Sequence, residues 1–357
     1  MKRYISTYFI IVIVGLLVVY WMPLSLHNSS DTEIKDSSIE QKHEEITALP
    51  PALGFSQWIN QSSDSFLGKF GEPNLKIEVN DKRKIWYYQI EESDQLIVQI
   101  DQNNVSSIID LGHQINSGYF TGHMTTDHLK DELKVQSSFK VFDLNESDSR
   151  VFKLRKHESK YAPLFEFDNE TFAITWFNQS KQLIGVYYLN KEQLYHSNLY
   201  EGAPTYVHKE YFKTKDSRDW TLLWNQIVNV SRTFEMKPED NVQQNLLIDN
   251  QWLAQHGLET LNGHIKEHSD KLLTETEIRK VFNQNINSSS YHLMLTNQFE
   301  SFGSWLHFVL KDQNRQQTFF EKGLYNQSAL VQCGPHALWI FSNHLSDELI
   351  KEEVDDL

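Results

Sequence analysis

From Tyr4 to Leu26 the chain carries no charge, with Lys2 and Arg3 before this run and an acidic, serine-rich stretch after it. As a helix these residues rise roughly 34 Å, enough for a hydrocarbon core of about 30 Å. Tyr4, Tyr8, Tyr20 and Trp21 sit at the ends, where interfacial aromatics belong. With the basic residues on one flank only, the N-terminus stays in the cytoplasm and Asn28 onward is exported. Trp21-Met22-Pro23-Leu24-Ser25-Leu26 offers no small-x-small site. The reading is therefore an uncleaved anchor over 1–26, with a cleaved signal as the alternative.

The chain's formal charge of −15 includes Lys2 and Arg3, so the exported part stands at −17. Such an acidic body is, taken as a whole, a poor partner for nucleic acid and for anionic lipid or polymer surfaces. Cys333 is the only cysteine, so no disulfide can form within the chain. An exported protein of this size without disulfides suits a bacterial envelope. Residues 27–51 have few apolar side chains and read as a disordered tether closed by Pro50-Pro51.

From Leu53 the aromatic content rises. Ser62 to Phe70 has the caps of a short helix, with Ser at its start and Gly71 and Pro73 at its end. Lys84 to Ile90 and Leu96 to Ile100 alternate as strands. The pattern recurs 63 positions on: Thr125-Thr126-Asp127-His128-Leu129 repeats the cap chemistry, and Leu133 matches Phe70. Strand-like segments follow at Phe139–Leu144, Arg150–Leu154, Thr171–Phe177 and Leu183–Leu189. Residues 52–206 thus read as a domain of two helix-plus-sheet copies. Trp86-Tyr87-Tyr88 must point to both faces of its strand, so its rings lie between layers or in solvent.

After Tyr211 the period changes. Trp220, Leu223, Trp224, Ile227 and Phe234 follow helical spacing. Further helices are predicted over Asp240–Gln255, from a capping box at Thr274, and through Phe302, Trp305, Leu306, Val309 and Leu310. Strands at Ala329–Cys333 and Ala337–Phe341 end a second domain, 212–345, before an acidic tail over 346–357. The fold class is α+β: a transmembrane helix, a helix-plus-antiparallel-sheet repeat domain and an α-β-α sandwich.

The chain resembles a membrane-anchored CAP (SCP-like) domain protein of Gram-positive bacteria with a CAP-associated N-terminal domain. Phe70-Gly71-Glu72-Pro73, Ile85-Trp86-Tyr87-Tyr88 and Gly122-His123-Met124-Thr125 carry the N-terminal resemblance. Arg232–Pro238, Ile278–Ile286, Phe308–Phe319 and Ser328–Phe341 carry the C-terminal one. CAP domains that bind a metal use two His and acidic residues in a central cleft. Here Asn314 stands where the family's last His falls, beside a kept Arg315. The Gly-Glu-Asn segment falls near His292-Leu293-Met294, and the first His near Trp252. Asn, Leu and Trp are poor replacements for metal ligands.

The resemblance therefore implies a degenerate CAP domain with no metal and no cofactor. It would be a non-enzymatic binding or scaffold module at the cell envelope, with a protein or wall component as partner. Trp252, Trp305, Asn314 and Arg315 would line the cleft remnant. The alternative is an extracellular hydrolase with one of two centres. One is a shifted metal site from His256, His264 and His268, on a stretch whose Gly257 and Gly263 suggest a loop or short helix. The other is a Cys333/His336 pair. Glu166, Asp168 and Glu170 read as turn residues rather than glycosidase carboxylates.

Overall fold

The computed structural model describes residues 48–90, 94–112, 115–133, 135–143, 148–197, 199–200, 221–229, 248–267, 274–285, 291–296, 302–312, 314–316, 325, 327–333 and 336–342. The anchor, nearly all of the tether and the acidic tail expected from the sequence lie outside them. Among the described residues no helix is long and apolar enough to cross a membrane.

The first copy opens with α1 (Ser63–Phe70) and continues as β1 (Leu75–Glu78), β2 (Arg83–Gln89), β3 (Gln95–Asp101) and β4 (Asn104–Leu111). Ser62 caps α1 by accepting from the Ser65 amide, and Gly71 ends it at φ +78° while donating to Leu67 O. A side chain at that φ would be strained, so glycine stops the helix cheaply. Short strands β5 (Asn116–Ser117) and β6 (Phe120–Thr121) lead to the second copy, whose α2 (Thr126–Glu132) is capped by Thr125 accepting from His128 N. Then come β7 (Ser138–Phe142), β8 (Ser149–Lys153), α3 (Glu158–Tyr161), β9 (Leu164–Glu166), β10 (Thr171–Phe177), β11 (Leu183–Asn190) and α4 (Lys191–Tyr195).

The copies join through their last strands. The sheet order is β1-β2-β3-β4-β11-β10-β9, with Ile108 opposite Tyr188 and Ile109 opposite Tyr187 across an antiparallel β4–β11 seam. The caps repeat the symmetry: Ser62 bridges to Asn104, just as Thr125 bridges to Gln182. Phe66 and Leu129, 63 positions apart, are both fully buried. The second copy is not a strict duplicate. Its hairpin β7–β8 leaves the main sheet as a two-stranded sheet of its own, and β9 takes the edge position.

The second half begins with α5 over 221–229. It continues with β12 (Ile248–Asp249), α6 (Gln251–Glu267), α7 (Glu275–Asn285), β13 (Tyr291–Thr296), α8 (Phe302–Leu310), β14 (Gln327–Cys333) and β15 (His336–Ser342). Its sheet runs β12-β14-β15-β13. The capping box at Thr274 forms reciprocally: Glu277 N donates to Thr274 Oγ1, and Thr274 N donates to Glu277 Oε2.

The helix expected over 240–255 begins instead at Gln251, because Ile248 and Asp249 pair in parallel with Gln327 and Ser328, and Asn250 caps by accepting from Leu253 N. It runs on through Gly257 and Gly263, where a loop or short helix was expected. At Gly257 a Cβ would collide with Ile340 Cδ1 and stand 3.2 Å from Val331 Cγ2. That glycine brings α6 against the sheet and breaks nothing.

Residues 49–357 form one compact unit, and among the described residues three cores hold five layers together. On one face of the seven-stranded sheet, Trp86, Tyr88, Val98 and Ile108 pack with Phe66 and Leu129 of α1 and α2. On its other face Tyr87, Ile109, Trp176 and Tyr187 pack with Trp224 of α5 and with Trp305, Leu306 and Val309 of α8. The same helices cover Met294, Leu330 and Trp339 of the four-stranded sheet. The far face of that sheet (Leu293, Ala329, Val331, Ile340) carries α6 and α7. One helical layer therefore serves both sheets.

Asp110 of β4 is buried in the first of these cores, and burial, with help from Asp94, pushes its carboxyl up to about 7. The folded state thus holds a proton that the unfolded chain releases above pH ~4. Stability contributed by the neutral acid is complete below pH ~4 and is lost as pH rises towards 7, on the order of 4 kcal/mol in all. Asp110→Asn should unfold at nearly the wild-type urea concentration at pH 4 and at a clearly higher one at pH 8. Equal displacement at both pH values would contradict the shift.

Candidate functional site

The four residues singled out from the sequence do not converge. Trp305 is 1% exposed and packs on Trp339 (5.7 Å between ring centroids) and Trp224 (6.3 Å). It lies on the same face of α8 as Phe302, Leu306 and Val309, so it belongs to the core and has no surface left to line a cleft. Trp252 is half-buried in the first turn of α6, on the opposite face of the four-stranded sheet, stacked on His256 at 5.3 Å and 9°. Asn314 is exposed, in a turn organised by Asp312, whose Oδ1 accepts from the amides of Asn314 (2.9 Å) and Arg315 (3.2 Å). The Arg315 guanidinium lies 3.6 Å over the Phe308 ring and donates through Nη1 to Phe308 O at 2.8 Å.

Beyond Phe308 and Asp312, Arg315 feels Glu275, which also acts on His292 of β13. His292 and Met294 alternate there towards α8, and His292 stacks on Tyr325 at 6.1 Å and 27°. Tyr325 rests in turn on Phe341 at 5.6 Å. The first turns of α7 overhang this edge with Glu275 and Arg279, paired at 3.1 Å. The fields overlap. Burial lowers the His292 pKa, Glu275 offsets this in part, and Arg279 adds to it. Burial also works against the charge of Arg315, while Asp312 and Glu275 support it. The Tyr325 phenol is raised by burial against the influence of Arg279.

His292, Tyr325 and Arg279 make a half-buried polar region at the edge of β13, and Arg315, seated on Phe308, is linked to it through the field of Glu275. Together they offer a cationic donor fixed on an aromatic face, a neutral imidazole and a phenol. Such a set recognises carboxylates, phosphates or planar groups. Sequence reasoning reached Arg315 but took His292 only as a place without a carboxylate. The polar-apolar alternation of Tyr291-His292-Leu293-Met294 was the available signal, since it puts His292 on the face opposite Leu293.

The alternative chemistries fare differently. His256 stands in an aromatic row, stacked on Trp252 and edge-on to Phe282 at 4.8 Å, with Phe282 4.9 Å from Tyr291. The side chain of His264 and all of His268 lie outside the described residues. Among the described residues no three His, Cys, Asp or Glu side chains gather to hold a metal ion. Cys333 pairs with His336 across the β14–β15 hairpin, and its thiol donates to Asn262 Oδ1 at 2.9 Å. Burial raises the thiol and lowers the imidazole, so both are held neutral. Asp168 accepts from Ala52 N, and Glu170 has φ +58°, as turn residues do.

Residues 59–200 match the family described as CAP-associated N-terminal. That segment is similar to CAP-associated N-terminal domains. Its first strands, seam and caps are those of the seven-stranded sheet. The fold has likenesses among solved structures. It is similar to a cysteine-rich secretory protein from Staphylococcus aureus subsp. aureus Mu50, at 15% identity and a TM-score of 0.64, over 83% of this chain and 98% of that one. It is also similar to an extracellular protein containing an SCP domain from Bacillus anthracis str. Ames, at 15% identity and a TM-score of 0.58, over 81% of this chain and 94% of that one. At these identities the likeness is one of fold. No curated protein matches the chain. The β13 edge lies in the part of the chain that follows the matched segment 59–200.

Proposed function

We propose that the protein is a membrane-anchored, extracellular CAP-like module of the bacterial envelope that binds a protein or wall component and does not catalyse. The observation that carries this reading is the make-up of the β13 edge. His292 stacks on Tyr325 there, and Arg315, fixed on Phe308, shares the field of Glu275 with His292, a polar surface where a hydrolytic CAP cleft would need carboxylates with imidazoles. The raised thiol of Cys333 speaks against the nucleophilic alternative, since the thiolate is the reactive form.

The test is sedimentation of the purified protein with isolated cell-wall sacculi, beside thermal unfolding with zinc, calcium and a chelator. The protein is expected to pellet with the wall, and Arg315→Ala to weaken this about tenfold, the scale of one charge-assisted hydrogen bond. A melting point that falls by several degrees on chelation would instead point to the metal-dependent hydrolase.

A further inference from the structure

The segment 59–200 carries a surface of opposite character to the rest of the chain. Hairpin β7–β8 stands apart from the main sheet and buries one face only: Phe139, Val141, Phe152 and Leu154 enter the core shared with α4 and α5. Its outer face is exposed and mixes cations with apolar groups. Lys140 lies directly opposite Val151, and one step along the same face are Phe142 and Lys153. Phe142 and Val151 are 37% and 45% exposed. The Lys140 ammonium lies 4.8 Å over the Phe142 ring. Arg155 and Lys156 follow, both exposed. The described acidic groups of the hairpin are near its tip, where Asp143 is backbone-bonded to Asp148 and Asp148 accepts from the Tyr195 hydroxyl, while the buried Glu158 accepts from Arg155 N. In a chain of net charge −15 this is a localised positive face with apolar side chains set among its cations.

We infer that this outer face is a contact surface for an anionic phospholipid membrane. Two features choose that occupant. The charge is complementary to acidic headgroups, and each Lys or Arg near such a surface adds attraction that salt weakens. A soluble polyanion would use the cations alone. Exposed Phe and Val between lysines fit the boundary where headgroups meet acyl chains. The surface is independent of the β13 edge site, so either can fail alone.

The experiment uses residues 49–357, the compact unit without the expected anchor, and vesicle flotation. The protein is expected to float with vesicles of phosphatidylcholine and phosphatidylglycerol, about three to one, and not with phosphatidylcholine alone. K140E/K153E should lower the floated fraction about tenfold, and F142S/V151S about threefold or more. Both pairs point outward, so circular dichroism and melting point should match the wild type and report on folding. Equal flotation with both lipids, or no loss in K140E/K153E, would overturn the proposal. Loss in K140E/K153E with none in F142S/V151S would also overturn it, and would assign the face to an acidic polymer or protein.

Discussion

Trp176→Ala should lower the unfolding free energy by about 3–5 kcal/mol, the range for deleting a large buried aromatic. Trp176 sits near the end of β10, fully buried, stacked on Tyr187 at 5.9 Å and 23°. Its indole Nε1 donates to Nδ1 of His307 on α8 at 3.1 Å. Since indole can only donate, His307 Nδ1 carries no proton, and Nε2 donates to Leu199 O at 3.2 Å. The imidazole is locked neutral between the two halves of the chain, with the Tyr200 ring 5.3 Å away. Burial lowers its pKa well below the ordinary value, and the nearby Lys311 ammonium, paired with Glu158 at 3.5 Å, lowers it further.

The sign follows from linkage. Below pH ~6.5 the unfolded chain takes up a proton on this imidazole that the folded chain refuses, so stability is full above that pH and falls as pH drops through it. Trp176→Phe separates packing from this effect. It keeps an aromatic ring but removes the donor, so His307 Nδ1 can accept a proton. It should cost about 1–3 kcal/mol at pH 7.5 and show a shallower loss between pH 7.5 and 5.5 than the wild type. Asp110 contributes with the opposite sign in both proteins and cancels in the difference. Parallel acid slopes in urea unfolding would mean that His307 is not held as described.

Local chemistry was legible in the chain, and contacts between distant residues were not. Ser62, Gly71, Thr125 and Thr274 act within a few residues of themselves, and each does what its type and spacing predict. The 63-residue repeat was readable because Phe66 and Leu129 occupy the same place in their copies. Strand β4, which forms the seam between the copies, passed unread, since Ser106 and Ser107 interrupt its apolar run although both are buried. The edge site was half legible. Arg315 stood out by position, but its seat on Phe308 and its share in the field of Glu275 depend on the fold, and nothing in the spacing of 275, 308 and 315 predicts them. Trp305 fails for the same reason, because exposure depends on a sheet far away in sequence. The shared helical layer is the largest feature that was not read: an amphipathic stripe tells that a helix buries one face, not that two sheets compete for the helix.

Gly303 tests that layer by the sign of a small substitution. In the first turn of α8 a Cβ at Gly303 would overlap Tyr187 Oη and Cζ and stand 3.0 Å from Cε1. The ring cannot step aside, being 2% exposed and stacked on Trp176. Gly263 of α6 has nothing within 4 Å of the same position. Glycine within a helix costs up to about 1 kcal/mol relative to alanine. Gly263→Ala should therefore stabilise by about 0.5–1 kcal/mol, whereas Gly303→Ala should destabilise by about 1–3 kcal/mol because overpacking outweighs propensity. Gly303→Val should cost more still. At roughly 2–4 °C per kcal/mol for a chain of this size, calorimetry resolves the two signs. It should also show one transition in every variant, since α8 belongs to the cores of both sheets and neither can lose it alone. If Gly303→Ala raised the melting point as Gly263→Ala does, or if the Gly303 variants split the transition in two, the helix would not be wedged between the sheets. The hydrogen bond from Trp176 to His307 could not then be the tie that couples them.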